Sequence, residues 1–143
     1  MIPLPSNALR LLAQRVLARL VPQAGSAHGT SDGAMTTMLI MTLADELESG
    51  VDRRMADIAQ MRALFSTALE AGVGEDLVAT LSPLRDRQPA SFRMSDVDAL
   101  HDEMANALIR LHERAEQAPS LASLNEAIWQ YLHESATRHA LAI

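Results

Sequence analysis

At 143 residues, with 48% hydrophobic residues and no cysteine, the chain can build one core but has no thiol for a disulfide, a thiolate zinc site or a cysteine nucleophile. A net charge of −6 disfavours nonspecific nucleic-acid binding, and the apolar run Met38 to Met41 is far too short to span a bilayer. Aromatic residues are only 3% of the chain, so the apolar content comes from Ala, Leu and Met, which are helix formers. The expectation is an all-α fold: a helical bundle on one long central helix, with a C-terminal antiparallel helix hairpin.

The charge is unevenly placed. Every one of the twelve basic residues is arginine, which reads as the codon usage of a GC-rich, bacterial-like genome. No acid precedes Asp32, so residues 1–31 carry only Arg10, Arg15 and Arg19. An acid-free amphipathic start resembles a transit peptide or a membrane-surface helix. A first bundle helix whose basic edge docks on an acidic body is the simpler reading, because three arginines are a thin charge for membrane attachment.

Taken along the chain, Pro3 and Pro5 precede Ser6, an N-cap candidate. Leu9, Leu12, Val16 and Leu20 then form one helical face over residues 6–21, closed by Pro22. Gln23 to Ser31 reads as a small-residue loop, and Ser31 or Asp32 is placed to cap the next helix. From Met35 a stripe runs through Leu39, Leu43, Leu47, Val51, Met55, Ile58, Arg62, Phe65 and Leu69 in steps of three or four. That spacing keeps ten side chains on one helix face, and Gly50 does not shift its phase. It predicts a single helix over 33–71, bent at Gly50 at most. Met38 and Met41 lie off the stripe, so the first half needs neighbours on two sides.

Gly72 and Gly74 end that helix, and 76–81 allows a short one before Ser82-Pro83. Ser95 with Asp98 forms a capping-box pattern for a helix over 95–118 that faces inward through Val97, Leu100, Met104, Leu108, Leu111 and Ala115. Ser123 with Glu126 repeats that pattern in a last helix over 121–140. Its inner stripe is Leu121, Leu124, Ile128 and Leu132, with Trp129 and Tyr131 on the flanks. The short connection predicts an antiparallel hairpin, and the whole chain reads as a single helical domain, 1–143.

The chemistry-bearing residues are sparse. A carboxylate-bridged di-iron bundle needs two Glu-x-x-His pairs, and the chain has one Asp98-x-x-His101. His101 and His112 share a face but stand about 16 Å apart along a helix. No metal is expected; if one were held, His101 or His112 together with His139 would be its ligands, and otherwise His139 is a partly buried histidine at a helix end. No Gly-x-Ser-x-Gly elbow and no strand-borne glycine loop is present. Arg62 is the odd residue in the stripe. No acid stands three or four residues away, so its guanidinium needs a partner from another helix or subunit, unless the head reaches water.

No cofactor is expected. The leading expectation is a non-catalytic, cytoplasmic helical-bundle protein acting through self-association and protein contacts. It would be a homodimer with Met38 and Met41 near the contact, touching neither nucleic acid nor membrane. The other class is a bundle holding a small apolar ligand or a metal between its helices, in which case it could be an enzyme.

Overall fold

A computed structural model of the chain describes residues 4–140, which among themselves form helices and turns and no strand. In order these are α1 (Pro5–Arg15), α2 (Ala27–Ala71), α3 (Glu75–Asp86), α4 (Met94–Gln117) and α5 (Ala122–Arg138). The fold is all-α, with a long central helix and a C-terminal helix pair. Contacts divide it into two compact units that part between Gly50 and Val51, and α2 contributes residues to both.

In the first unit, Pro22 decides how α1 ends. Proline offers no N–H and crowds the carbonyl four residues back, so the helix widens before it. Val16–Leu20 form a π turn, closed by the Val21 N–H on the Val16 carbonyl, and Val21–Gln23 tighten into a 3₁₀ turn. The helix over 6–21 expected from sequence is therefore α-helical only to Arg15. Ser6 is not its cap; the side chain is buried and its Oγ donates to Glu48 Oε2 at 2.5 Å.

The loop at 23–31 is shorter than expected. Ser26 caps α2, accepting from the Gly29 N–H at 3.1 Å, so the helix begins at Ala27 rather than near residue 33. It then runs through Gly50 without a turn. The face it turns to α1 is not the apolar stripe. It carries Gly33, Thr37, Ile40 and the buried Ala44, and small residues there let the chains approach closely. A Cβ on Gly33 would lie 2.6 Å from Val21 Cγ2. Met35, Leu39, Leu43 and Leu47 are consequently exposed, against the expectation that the whole stripe faces a core.

The second unit has the conventional core. α2 beyond Gly50, α3, α4 and α5 enclose twenty buried apolar residues, among them Ile58, Met61, Phe65, Leu81, Met104, Leu111, Leu124 and Ile128. Each large side chain so buried contributes about 1.5–3 kcal/mol. The α4 face lies buried from Val97 to Ala115 as its spacing requires. On α5 the inward residue is Tyr131, whereas Leu132 and Trp129 are exposed. Gly72 and Gly74 adopt positive φ to turn the chain out of α2, and α3 continues past Pro83 to Asp86 with the proline on its exposed side. The caps expected of Ser95 and Ser123 are absent. Ser91 instead accepts from the Arg93 N–H and donates to Asp96, bracing the start of α4.

Candidate functional site

Two features are candidates, one in each unit. The first is a polar cluster on the flank of α2 beside Ile58. Since Ile58 points into the core, the rotation of about 100° per residue sets Asp57 at the core's margin, where it is completely buried. An isolated carboxylate there would be very costly. It is compensated by α4 and the end of α5. Arg138 donates to Oδ1, His139 Nε2 donates to Oδ2 at 2.6 Å, and His101 Nε2 lies 3.3 Å from the same oxygen.

The pattern repeats at steps of three along α2. Arg54 pairs with Asp98 one turn before Asp57, and Gln60 follows one turn after. Gln60 accepts from Arg138 at 2.9 Å and donates to Glu134 at 2.6 Å. Hydrogen bonds from Gln130, then Gln60, hold the Glu134 carboxyl below the usual carboxylate range. Tyr131 borders the cluster; burial, and then the Asp57 charge, push its phenol up. With both oxygens of Asp57 taken by cationic or N–H donors, the arrangement fastens α4 and the end of α5 to α2.

The histidines separate accordingly. His101 and His139 meet on Asp57, while His112 stacks edge-on against Trp129 at 5.2 Å between centroids and lies 3.7 Å from Glu116. The histidines named as alternative ligands, His101, His112 and His139, are thus not brought together as a set of three. Among the described residues no three His, Asp or Glu side chains form a group fit for a metal ion. Asp57 and Arg138 were missed in the sequence. The one available signal was His139, which continues the inner stripe of the last helix.

Arg62 finds no carboxylate. Its Nη2 donates to the Arg87 carbonyl just past α3 and to Gln88 Oε1 at 3.3 Å, while Nε is buried without a hydrogen-bond partner. It therefore caps the C-terminal end of α3. It also lines an open cleft of about 600 Å³ with Ser66, Glu70, Arg85 and Asp86. The charges there are largely matched: Arg85 bonds Asp86 at 2.6 Å and holds that carboxyl below its ordinary range.

The second feature is the surface of the first unit. Of the sixteen large hydrophobic residues exposed among those described, eleven precede Gly50: Leu4, Leu11, Leu12, Leu17, Leu20, Met35, Met38, Leu39, Met41, Leu43 and Leu47. Met38 is 47% and Met41 39% exposed, but helical rotation puts both on the Asp45 side of α2. Leu39, Leu43 and Leu47 occupy the opposite side and are exposed by more than half. No described helix is long and apolar enough to cross a membrane.

Comparison of the chain with protein-family models, with curated proteins and with solved structures gives no match in any of the three.

Proposed function

We propose that this chain is a non-catalytic helical protein that acts through self-association and protein contacts, with the hairpin of residues 4–50 as its contact surface. One observation carries this reading: among the described residues of that unit the buried apolar ones are Ala13 and Ala44, while its leucines and methionines other than the half-buried Leu9 are exposed. Two alanines stabilise a helix pair weakly, and half-exposed leucines each hold about 1 kcal/mol in reserve for a surface that covers them. Apolar exposure concentrated in this way marks an interaction site, whereas the scattered Val78, Phe92, Ile109, Trp129 and Leu132 of the second unit need no explanation.

The competing reading, a bundle holding a small apolar ligand or a metal, has less support. The interior of the second unit is filled by its own side chains, and both Asp57 oxygens already accept hydrogen bonds. The proposed setting is the cytoplasm, which suits a chain without cysteine. Light scattering across about 1–100 µM tests the reading, a range that brackets the Kd of ordinary interfaces of modest size. Self-association that rises with concentration supports it. A single-chain mass throughout would rule it out.

A further inference from the structure

Resting on that reading, we infer that the partner is a second copy of this chain, and that two hairpins stack about a two-fold axis parallel to their helices. Each α1 then lies over the first half of the other copy's α2. The inference comes from the sidedness and the charge of the hairpin.

Three contacts fix the register within one copy. Ser6 meets Glu48, Arg10 bonds Asp45 at 2.9 Å, and Val21 abuts Gly33, so α1 and α2 run antiparallel. Arg10 and Asp45 place an ion pair on one side of the hairpin, beside Met38 and Met41. At about 100° per residue, Leu9, Leu12 and Val16 leave the buried Ala13 on the other side of α1, and Ile40, Leu43 and Leu47 do the same from Ala44. Facing antiparallel helices share their sense of rotation, so both apolar edges come to the same side of the pair. The register sets Leu12 level with Leu43 and Val16 level with Leu39. The result is one face spanning both helices, with its inner residues half-buried and its outer ones exposed.

Charge selects how that face pairs. α1 and the turns after it carry Arg10, Arg15 and Arg19 and no acid; α2 up to Gly50 carries Asp32, Asp45, Glu46 and Glu48 and no arginine. Arg15 lies beyond the Leu12 edge of the face; Asp32 lies at the Leu39–Leu43 edge and Glu46 just beyond it. Two such faces can meet about an axis across the helices, which puts α1 on α1 and a basic rim on a basic rim. An axis along the helices instead puts each basic rim against the partner's acidic rim and leaves every neighbouring helix antiparallel. Only the second is self-complementary in charge as well as in apolar surface. It forms a four-helix bundle from two hairpins, in which the half-buried Leu9, Val16 and Ile40 are central, Leu12 and Leu43 face the other copy, and Met38 and Met41 lie outside the contact.

The test is charge reversal at the rims, read as a dimer Kd by sedimentation equilibrium with circular dichroism as a check on helix content. Arg15→Glu with Arg19→Glu makes both rims acidic, and Asp32→Arg with Glu46→Arg makes both basic. Each double variant alone should dimerise about tenfold or more weakly than wild type, and an equimolar mixture of the two should recover near-wild-type affinity as a heterodimer. Met41→Gln should leave the Kd within about twofold. A wild-type dimer whose Kd is unchanged or tightened in the double variants would overturn this arrangement while leaving self-association standing. A monomeric wild type would overturn both. Loss of dimer in Met41→Gln with the rim variants unaffected would move the contact to the Asp45 side and contradict the inference.

Discussion

Arg138, the last residue of α5, donates a hydrogen bond to the buried carboxylate of Asp57, 81 residues earlier on α2. The bond joins the end of the chain's last helix to the middle of its longest one. Asp57→Ala should remove the common acceptor of Arg138 and His139 and the carboxylate beside His101. The three partners are each partly exposed and can turn to water, which puts the cost at the low end for a broken buried pair, about 3 kcal/mol. His139→Ala leaves the Arg138 bond intact and should cost about 1 kcal/mol. Urea melts check both; a loss below about 1 kcal/mol for Asp57→Ala would show that the cluster is not needed to hold the helices.

Arg62 should behave as a cap rather than as half of an ion pair. Its removal leaves a carbonyl and an amide, both able to bind water, and strands no carboxylate. Arg62→Ala should cost about 1–1.5 kcal/mol, a hydrogen bond's worth plus some packing. Arg62→Leu should cost less, since leucine keeps apolar bulk at a half-buried position one turn from Ile58 and Phe65 on α2. A loss of about 3–5 kcal/mol for Arg62→Leu would require a buried charged partner.

Tyr131 links stability to alkaline pH. Burial first, and the Asp57 charge second, raise the folded-state pKa above the ordinary value of 10.0. For an acid raised in this way, the folded state holds its proton where the unfolded state has lost it. The contribution is therefore intact below about pH 10 and disappears as pH climbs toward the folded pKa. Tyr131→Phe should flatten that alkaline limb of the stability curve. Phenolate absorbance titrating in wild type at or below pH 10 would contradict the assignment.

Gly33 sits where α2 touches Val21. Alanine gains about 1 kcal/mol of helix propensity over glycine, but its Cβ would fall 2.6 Å from Val21 Cγ2. Overpacking of that kind costs about 1–3 kcal/mol, so the net effect should be a modest loss. Gly33→Leu cannot be accommodated by a small shift and should free the end of α1. Hydrogen exchange across residues 5–23 reads this directly; unchanged protection in Gly33→Leu would mean the two segments do not depend on this contact.

The sequence carried the second unit better than the first. From Val97 to Ala115 the apolar period and the buried face coincide, because large side chains there have a core to enter; from Val51 to Leu69 the two overlap only at Ile58 and Phe65, with Val51, Met55 and Leu69 partly buried and Met61, Leu64 and Ala68 completing the buried face. From Met35 to Leu47 the period is just as regular, yet it marks the outward face. Periodicity reports that a helix has an apolar side, not what covers it. The contact side was written in Gly33, Thr37 and Ala44, whose small size permits close approach but gives no hydrophobic signal. Asp57 was illegible for a different reason. Beside Ile58 it looks like an ordinary flanking acid, and its partners lie 44 to 82 residues away in sequence, beyond any local pattern. Capping serines misled as well, since Ser6 was recruited by Glu48 and Ser26 had looked like loop.

Sedimentation equilibrium on the wild-type chain and on Leu43→Glu addresses self-association most directly. Leu43 is 59% exposed, so a glutamate there can be solvated in a single copy and should leave helix content unchanged. The expected result is a wild-type mass approaching twice 15.5 kDa at tens of micromolar, and a Leu43→Glu mass that stays at one chain over the same range. A wild-type chain that remains at 15.5 kDa, or a dimer that Leu43→Glu leaves intact, would contradict the assignment of the hairpin as the contact surface.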